Sequence, residues 1–149
     1  MAKKIPNGLK LASILIWIEA AIMAIGSVMA IVYGTTVSTY LGLSDLTSMF
    51  VAAGVVTLII AAVWFILGYG VWKMNIYAWW VAFVFVLLAT ISGAIGIFGG
   101  LFGIAAYTIG VMSFISLVIT IIQLLALVDK DSMKACKAKV GGWKGIEIF

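Results

Sequence analysis

The sequence predicts an all-α membrane protein, a polytopic bundle of four antiparallel transmembrane helices with both termini in the cytoplasm. Hydrophobic residues make up 66% of the 149 residues and charged residues only 9%, whereas about 25% of the residues of a soluble domain are charged. The apolar residues form long continuous runs, instead of alternating over about ten residues as in a membrane β-barrel. The positions of the lysines then give the orientation of the helices.

Four apolar runs predict the four helices. Each run is about as long as, or longer than, the roughly 20 residues that cross a bilayer core. The first run, residues 11–33, contains a single charged residue, Glu19. The predicted spans are residues 9–33, 47–72, 78–97 and 104–128, in a single membrane domain of residues 1–149 with an amphipathic cytoplasmic tail at 129–149.

The long uncharged stretch from Ala78 to Val128 must contain a turn. As a single helix it would be roughly 75 Å long, more than twice the thickness of a bilayer core. Its densest glycine cluster, Phe98–Gly103, predicts the position of the break. The polar segment 34–46, which is rich in Thr, Ser and Gly, is likewise predicted to be the loop between the first two helices.

The lysines predict the topology, because all nine positive charges are lysines. Three precede the first helix, one lies between the second and third helices, and five lie in the tail. The positive-inside rule therefore places both termini and the second connection in the cytoplasm. We expect these lysines to meet an anionic leaflet of the cell membrane and not nucleic acid. The expected headgroup anchors are Lys3, Lys4, Lys10, Lys73, Lys130, Lys134, Lys137 and Lys139.

Aromatic residues crowd the connection between the second and third helices. Trp and Tyr concentrate at membrane interfaces, where the ring is apolar and the N–H or O–H stays hydrated. The aromatic residues at this connection are Tyr69, Trp72, Tyr77, Trp79 and Trp80. They predict that the connection lies at a membrane surface.

The tail is predicted to carry a short amphipathic helix over residues 133–140. Apolar residues fall on one side of this segment and lysines on another, so we expect it to lie along the cytoplasmic interface. Gly141 and Gly142 should end the helix. The apolar ending, residues 143–149, is expected either to anchor at the interface or to dock on a partner protein.

Glu19 is the strongest candidate for an intramembrane polar site. Placing a carboxylate near the bilayer midplane costs free energy, so its side chain needs a partner. The fourth helix carries Ser113, Ser116, Thr120 and Gln123 at spacings of 3, 4 and 3, which form a single polar face. Glu19 and Thr120 are each nine residues from a charge at the cytoplasmic end of their helix. We therefore expect a hydrogen bond from Glu19 to Thr120 or Gln123. Three roles stay open for Glu19. It can hold helices together by a hydrogen bond, take part in transport or proton transfer, or contact another subunit.

The first helix also carries a face suited to helix packing. Ile16, Glu19, Met23, Gly26 and Ala30 recur at spacings of three and four residues. Gly26 and Ala30 form a small-xxx-small pair, which lets another helix backbone approach closely. Glu19 is therefore expected to face a neighbouring helix and not lipid.

Catalytic and metal-binding constellations are missing from the sequence. The chain has one cysteine, Cys136, and neither histidine nor arginine. An intramolecular disulfide is excluded, and zinc, haem and iron–sulfur sites are disfavoured because they need several Cys or His ligands. General acid–base chemistry would depend on Glu19 alone, so we expect no enzyme activity, no cofactor and no metal.

Three segments resemble small four-helix integral membrane proteins of unknown function from bacteria and archaea. These segments are residues 8–27 (GLKLASILIWIEAAIMAIGS), 68–80 (GYGVWKMNIYAWW) and 124–137. The resemblance implies the topology and no activity. Weaker similarity to the small multidrug resistance transporters lies in the four helices and in a first-helix glutamate, which would be Glu19. This chain is longer than those transporters, and its second to fourth helices contain no proline.

The sequence thus favours a non-enzymatic integral membrane protein. It is expected to be an accessory or structural subunit of a larger membrane complex, or a homo-oligomer. The alternative is a small proton-coupled transporter or exporter that uses Glu19. The expected partners are the lipid bilayer and either other membrane subunits or further copies of the chain.

Overall fold

The computed structural model describes the backbone of residues 5–101 and 106–137, and the side chains of residues 5–43, 45–95 and 114–137. Lys3, Lys4, Lys139, the side chain of Ser113 and the apolar ending 143–149 lie outside these ranges. The described chain forms five helices. They are α1 (Asn7–Tyr40), α2 (Ser44–Trp72), α3 (Ile76–Leu101), α4 (Ala106–Val128) and α5 (Lys130–Ala135).

Three of these helices are long and apolar enough to cross a membrane. They are α1, α2 and the Ile76–Ile95 part of α3. In α4 the part whose side chains are described, Phe114–Val128, is a shorter apolar segment. Together with the all-helical secondary structure, these spans confirm the predicted class, an all-α membrane protein.

The chain divides into two compact units. The hairpin unit is Ile16–Ile66 and contains the adjoining parts of α1 and α2. The second unit comprises, among the described residues, 5–15, 67–101 and 106–137. Glu19 belongs to the hairpin unit, whereas the polar residues of α4 belong to the second unit.

In the hairpin unit α1 and α2 run antiparallel in close contact. Two glycines make this contact possible, because a side chain at either position would collide with the opposite helix. A Cβ at Gly54 would meet the Ile31 side chain and would lie 3.2 Å from the Ser27 carbonyl oxygen. A Cβ at Gly34 would lie 2.5 Å from Cγ of Phe50. These close approaches fix the register of the two helices.

The structure continues α1 seven residues beyond its predicted end, into the segment predicted to be a loop. Hydroxyl groups in this segment bond back to the helix instead of opening it. Thr36 Oγ1 donates to the Val32 carbonyl at 2.7 Å, and Ser38 Oγ lies 2.6 Å from Thr47 Oγ1 across the hairpin. The chain reverses at Gly42, whose φ of +69° suits glycine.

Trp79 forms the centre of the second unit. Its side chain is fully buried, and its indole Nε1 donates to the Leu127 carbonyl of α4 at 3.0 Å. The ring stacks on Phe83 with centroids 5.2 Å apart and an interplanar angle of 3°. Trp79 therefore packs α3 against α4, in contrast to the interfacial position expected from its residue type, whereas Tyr77 is 80% exposed.

The connection between α2 and α3 is as tight as the sequence predicts. The Asn75 N–H donates to the Gly70 carbonyl and the Met74 N–H to the Val71 carbonyl, which is a Schellman motif. Met74 takes the left-handed position of this motif with φ of +56°, where glycine is the usual residue. Asn75 Oδ1 then caps α3 by accepting from the Tyr77 N–H at 2.9 Å.

The N-terminal end of α1 packs on the junction between α4 and α5. A Cβ at Gly8 would meet Ser132 Oγ and would lie 2.7 Å from the Ala126 carbonyl oxygen. Asp129, which is 2% exposed, caps α5 by accepting from the Ser132 N–H at 3.3 Å. This cap explains why α5 begins three residues before the predicted amphipathic helix.

The described part of the tail keeps the predicted division between apolar and charged sides. Met133 and Cys136 are buried, whereas Lys130, Lys134 and Lys137 are exposed. The helix ends with Cys136 as its C-cap, so within the described residues it stops before the predicted end at residue 140. The predicted glycine stop at 141–142 lies outside the described residues.

Candidate functional site

Glu19 is held by a tryptophan of the neighbouring helix. The indole Nε1 of Trp64, on α2, donates to Glu19 Oε2 at 3.0 Å, and both side chains are partly buried. The indole N–H is a donor only, so it suits a carboxylate acceptor. Residues 16–66 contain no lysine, arginine or histidine, so the carboxylate has no cation within its own unit. The Glu19–Trp64 hydrogen bond therefore links α1 to α2.

A second tryptophan, Trp17, also joins α1 to α2 by a hydrogen bond from its indole. Trp17 Nε1 donates to the Phe65 carbonyl at 3.2 Å, and the two rings stack with centroids 5.9 Å apart. Trp17 lies two residues before Glu19, and Phe65 directly follows Trp64. Aromatic side chains therefore flank the only carboxylate within the apolar part of the hairpin unit, and we call these four residues the Glu19 cluster.

The structure places the predicted polar face of α4 in two environments. Thr120 and Gln123 are buried, whereas Ser116 is exposed to the surroundings of the protein. Thr120 Oγ1 donates to the Leu117 carbonyl of its own helix at 3.0 Å. The expected hydrogen bond from Glu19 to Thr120 or Gln123 would join the two units, and it stays a prediction.

Gln123 is fully buried, and among the described residues neither its Nε2 nor its Oε1 has a hydrogen-bond partner. Ser13 of α1 is also fully buried, and its Oγ has no hydrogen-bond partner among the described residues. Ser13 is not among the site residues predicted from the sequence. Both residues belong to the second unit. Burying such a group without a partner costs about 1–3 kcal/mol.

The spacing of apolar residues along α1 would have predicted that Ser13 is buried. Besides Gly8, the buried residues at the start of α1 are Leu9, Ala12, Ser13, Ile16 and Ala20. They follow the i, i+3, i+4, i+7 spacing of a packed helix face. A serine at this spacing within an apolar helix is expected to face other helices, and the structure places it there.

The described residues hold no group of three or more His, Cys, Asp or Glu side chains that could bind a metal ion. The chemistry of the Glu19 cluster is therefore that of one carboxylate, indole N–H groups and aromatic rings. Such a set can join helices, accept a proton, or attract an organic cation to the ring faces.

A double-mutant cycle tests whether the Glu19–Trp64 hydrogen bond stabilises the protein. We expect Glu19→Leu and Trp64→Phe to show a coupling of about 0.6–1.7 kcal/mol, the range measured for hydrogen bonds between membrane helices. Glu19→Gln should change stability little, because the amide oxygen still accepts from the indole. The measurement is unfolding of the purified chain in mild detergent.

Trp17 supplies the control for this cycle. Its indole bonds to the Phe65 carbonyl and not to the carboxylate of Glu19, so Glu19→Leu and Trp17→Phe should be additive. Additive effects of Glu19→Leu and Trp64→Phe would instead contradict a stabilising role for the Glu19–Trp64 bond.

No protein-family model, no curated protein and no solved structure matches this chain. The two family resemblances noted in the sequence therefore stay expectations.

Proposed function

We propose that this protein is a non-enzymatic integral membrane subunit that associates through α1 with a membrane helix of another subunit or of a second copy. In this proposal α4 is the fourth span of the cell membrane, and both termini are cytoplasmic. The observation that carries the proposal is the surface of α1 around Gly26. Gly26 is exposed, and a Cβ added there would meet none of the described residues within 4 Å.

The contrast between the helical glycines of the hairpin unit supports this use of Gly26. Gly34 and Gly54 admit side chains of the opposite helix, Phe50 and Ile31. Gly26 has no such neighbour among the described residues. Ala30 lies one turn further on the same exposed side. Helices in a membrane associate through small residues that let backbones approach, because lipid provides no hydrophobic driving force.

The pairing of Glu19 with Trp64 also supports a structural role. The Glu19 carboxylate accepts a hydrogen bond from the adjacent helix and so holds the hairpin together. This structural role explains why the first apolar run contains a charged residue, and it requires no substrate. The proposal therefore assigns Glu19 to the stability of the hairpin and Gly26 to association.

Gly26→Leu tests the proposal directly. The leucine has room within the chain, so helix content and thermal stability should be retained. It should block close approach of a partner helix and remove co-purifying subunits, or convert a homo-oligomer to monomers. The measurement is the mass of the purified particle in mild detergent, by light scattering coupled to size-exclusion chromatography.

Ala21→Leu is the matched control. Ala21 is also exposed on α1, but it lies about 140° around the helix from Gly26. It should leave the particle mass unchanged. A monomeric, partner-free native protein, or a particle unaffected by Gly26→Leu, would contradict the proposal.

One observation favours a second candidate, a proton-coupled exporter of organic cations. Glu19 Oε1 accepts no hydrogen bond from the described residues, and the rings of the Glu19 cluster are suited to attract a cation. In proteoliposomes with a pH gradient, transport of tetraphenylphosphonium should then be lost in Glu19→Gln while folding is kept. Absence of transport by the native chain would reject this candidate.

A further inference from the structure

We propose that a pocket between the α2–α3 connection and the end of α5 binds the phosphate of an anionic lipid. The pocket has a volume of about 340 Å³, within the usual range for small-molecule sites. It is lined by Lys73, Met74, Ile76, Ala135, Cys136 and Lys137. The proposal is independent of the partner inferred for α1, since it concerns the α2–α3 connection and the end of α5 and needs no second protein.

The charge of the pocket favours an anion. Lys73 and Lys137 are two of the six described residues that line it, and none of these six is Asp or Glu. Among the described residues neither ammonium group makes an ion pair, although Lys73 Nζ lies 5.4 Å from the centre of the Tyr69 ring. Helix ends add no net positive charge, because the N-terminus of α3 at Ile76 lies beside the C-terminal ends of α2 and α5. The two lysines therefore supply the positive charge of the pocket.

The remaining walls favour a lipid over a free phosphate ion. Met74, Ile76, Ala135 and Cys136 are apolar or weakly polar, and Cys136 is 2% exposed. They offer an apolar surface beside two cations, which matches the junction between a phosphate and the glycerol and acyl groups of a lipid. Basic pockets between membrane helices commonly bind such headgroups on the cytoplasmic side, where the lysines of this chain are predicted to lie.

Two tight turns build the pocket. Met74 follows the end of α2 with φ of +56°, and Lys137 follows the end of α5 with φ of +55°. These are the two described non-glycine residues with positive φ, and both line this pocket. Glycine would be the less strained residue at each position, so the chain keeps side chains here at a cost in backbone energy.

A simpler role for both lysines is to complement the negative ends of α2 and α5. That role predicts effects on stability and none on lipid selectivity. The two explanations can therefore be separated by measuring which lipid binds.

The test uses the full chain in detergent with phosphatidylglycerol as the probe, followed by native mass spectrometry. We expect one retained phosphatidylglycerol, in preference to phosphatidylcholine. Lys73→Gln combined with Lys137→Gln should weaken phosphatidylglycerol binding about 30-fold. Lys73→Arg combined with Lys137→Arg should keep it, since the charge remains.

The control removes the same charge from outside the pocket. Lys130→Gln combined with Lys134→Gln changes two exposed lysines of α5 that lie outside the pocket. These lysines are expected to meet headgroups of the leaflet in general and not one retained lipid, so the affinity in detergent should stay within about twofold of the native chain. Equal losses in the two double variants would show general attraction to charge and would overturn the pocket. Equal binding of phosphatidylcholine would overturn the anionic headgroup, and competition by millimolar inorganic phosphate would overturn the lipid as the source of the phosphate.

Unfolding of the glutamine variant would make its lipid result uninterpretable, so each single variant is measured as well. Lys73→Gln leaves α5 untouched, and Lys137→Gln leaves the α2–α3 connection untouched. Each should weaken binding of phosphatidylglycerol about fivefold while keeping the native helix content. A folded single variant with native affinity would contradict the assignment of that lysine.

Discussion

Replacing Trp79 by alanine is expected to destabilise the protein by about 3–5 kcal/mol, the usual cost of emptying a buried aromatic site. The substitution removes a fully buried side chain, its stacking on Phe83 and its hydrogen bond to the Leu127 carbonyl. The measurement is unfolding of the purified chain in mild detergent, followed by loss of helical structure with increasing denaturing detergent.

Trp79→Phe separates the hydrogen bond from the packing. It should keep an aromatic ring against Phe83 but leave the Leu127 carbonyl without its indole donor, at a cost of about 1–2 kcal/mol. Tyr77→Ala is the control on the same helix, because Tyr77 is 80% exposed, and it should change stability by less than about 0.5 kcal/mol. If Trp79→Ala cost no more than Tyr77→Ala, the packing of α3 on α4 described here would be wrong.

Gly8→Ala is expected to destabilise the second unit by about 1–3 kcal/mol, as overpacking of a filled site does. The added methyl group would lie 2.7 Å from the Ala126 carbonyl oxygen and against Ser132 Oγ. A backbone oxygen cannot move aside as a flexible side chain can, so α1 must shift away from α4. The higher helix propensity of alanine, about 1 kcal/mol at most, offsets only part of this cost.

The opposite sign is expected at Gly26, which makes it a useful control for Gly8. There the methyl group meets open space, so Gly26→Ala should be neutral or stabilise α1 by up to about 1 kcal/mol. Thermal unfolding of both variants in the same detergent provides the comparison. Equal effects at the two glycines would contradict the close approach of Gly8 to α4.

The three long apolar helices could be predicted from the sequence because hydrocarbon selects long apolar runs regardless of what they pack against. The break predicted at Phe98–Gly103 was wrong in its first part, because α3 continues to Leu101. The tight α2–α3 connection was predictable for a similar reason, since Lys73 and Asn75 interrupt the apolar pattern. The extent of α1 was not predictable from the Thr and Ser content of 34–46. The same hydroxyl groups that favour a loop can bond back to helix carbonyls, as Thr36 does.

The partners of individual side chains depend on helix register, which composition does not encode. Trp79 and Trp64 are residues that suit a membrane interface, yet Trp79 is buried against α4 and Trp64 meets Glu19. That second pairing depends on the close approach of α1 and α2 at Gly34 and Gly54. Only a structure locates that approach, and so the indole partner of Glu19 was missed.

The bond between Glu19 and Trp64 bears on how the chain enters the membrane. A charged side chain at the centre of a helix costs about 2.5–3.5 kcal/mol on insertion scales, and the residues of α1 three and four positions from Glu19 are all apolar. The donor arrives with α2, the next helix to be synthesised. Insertion of α1 and α2 as a pair would present the carboxylate to lipid together with its indole, so we expect the two helices to enter the membrane more easily together than α1 would alone.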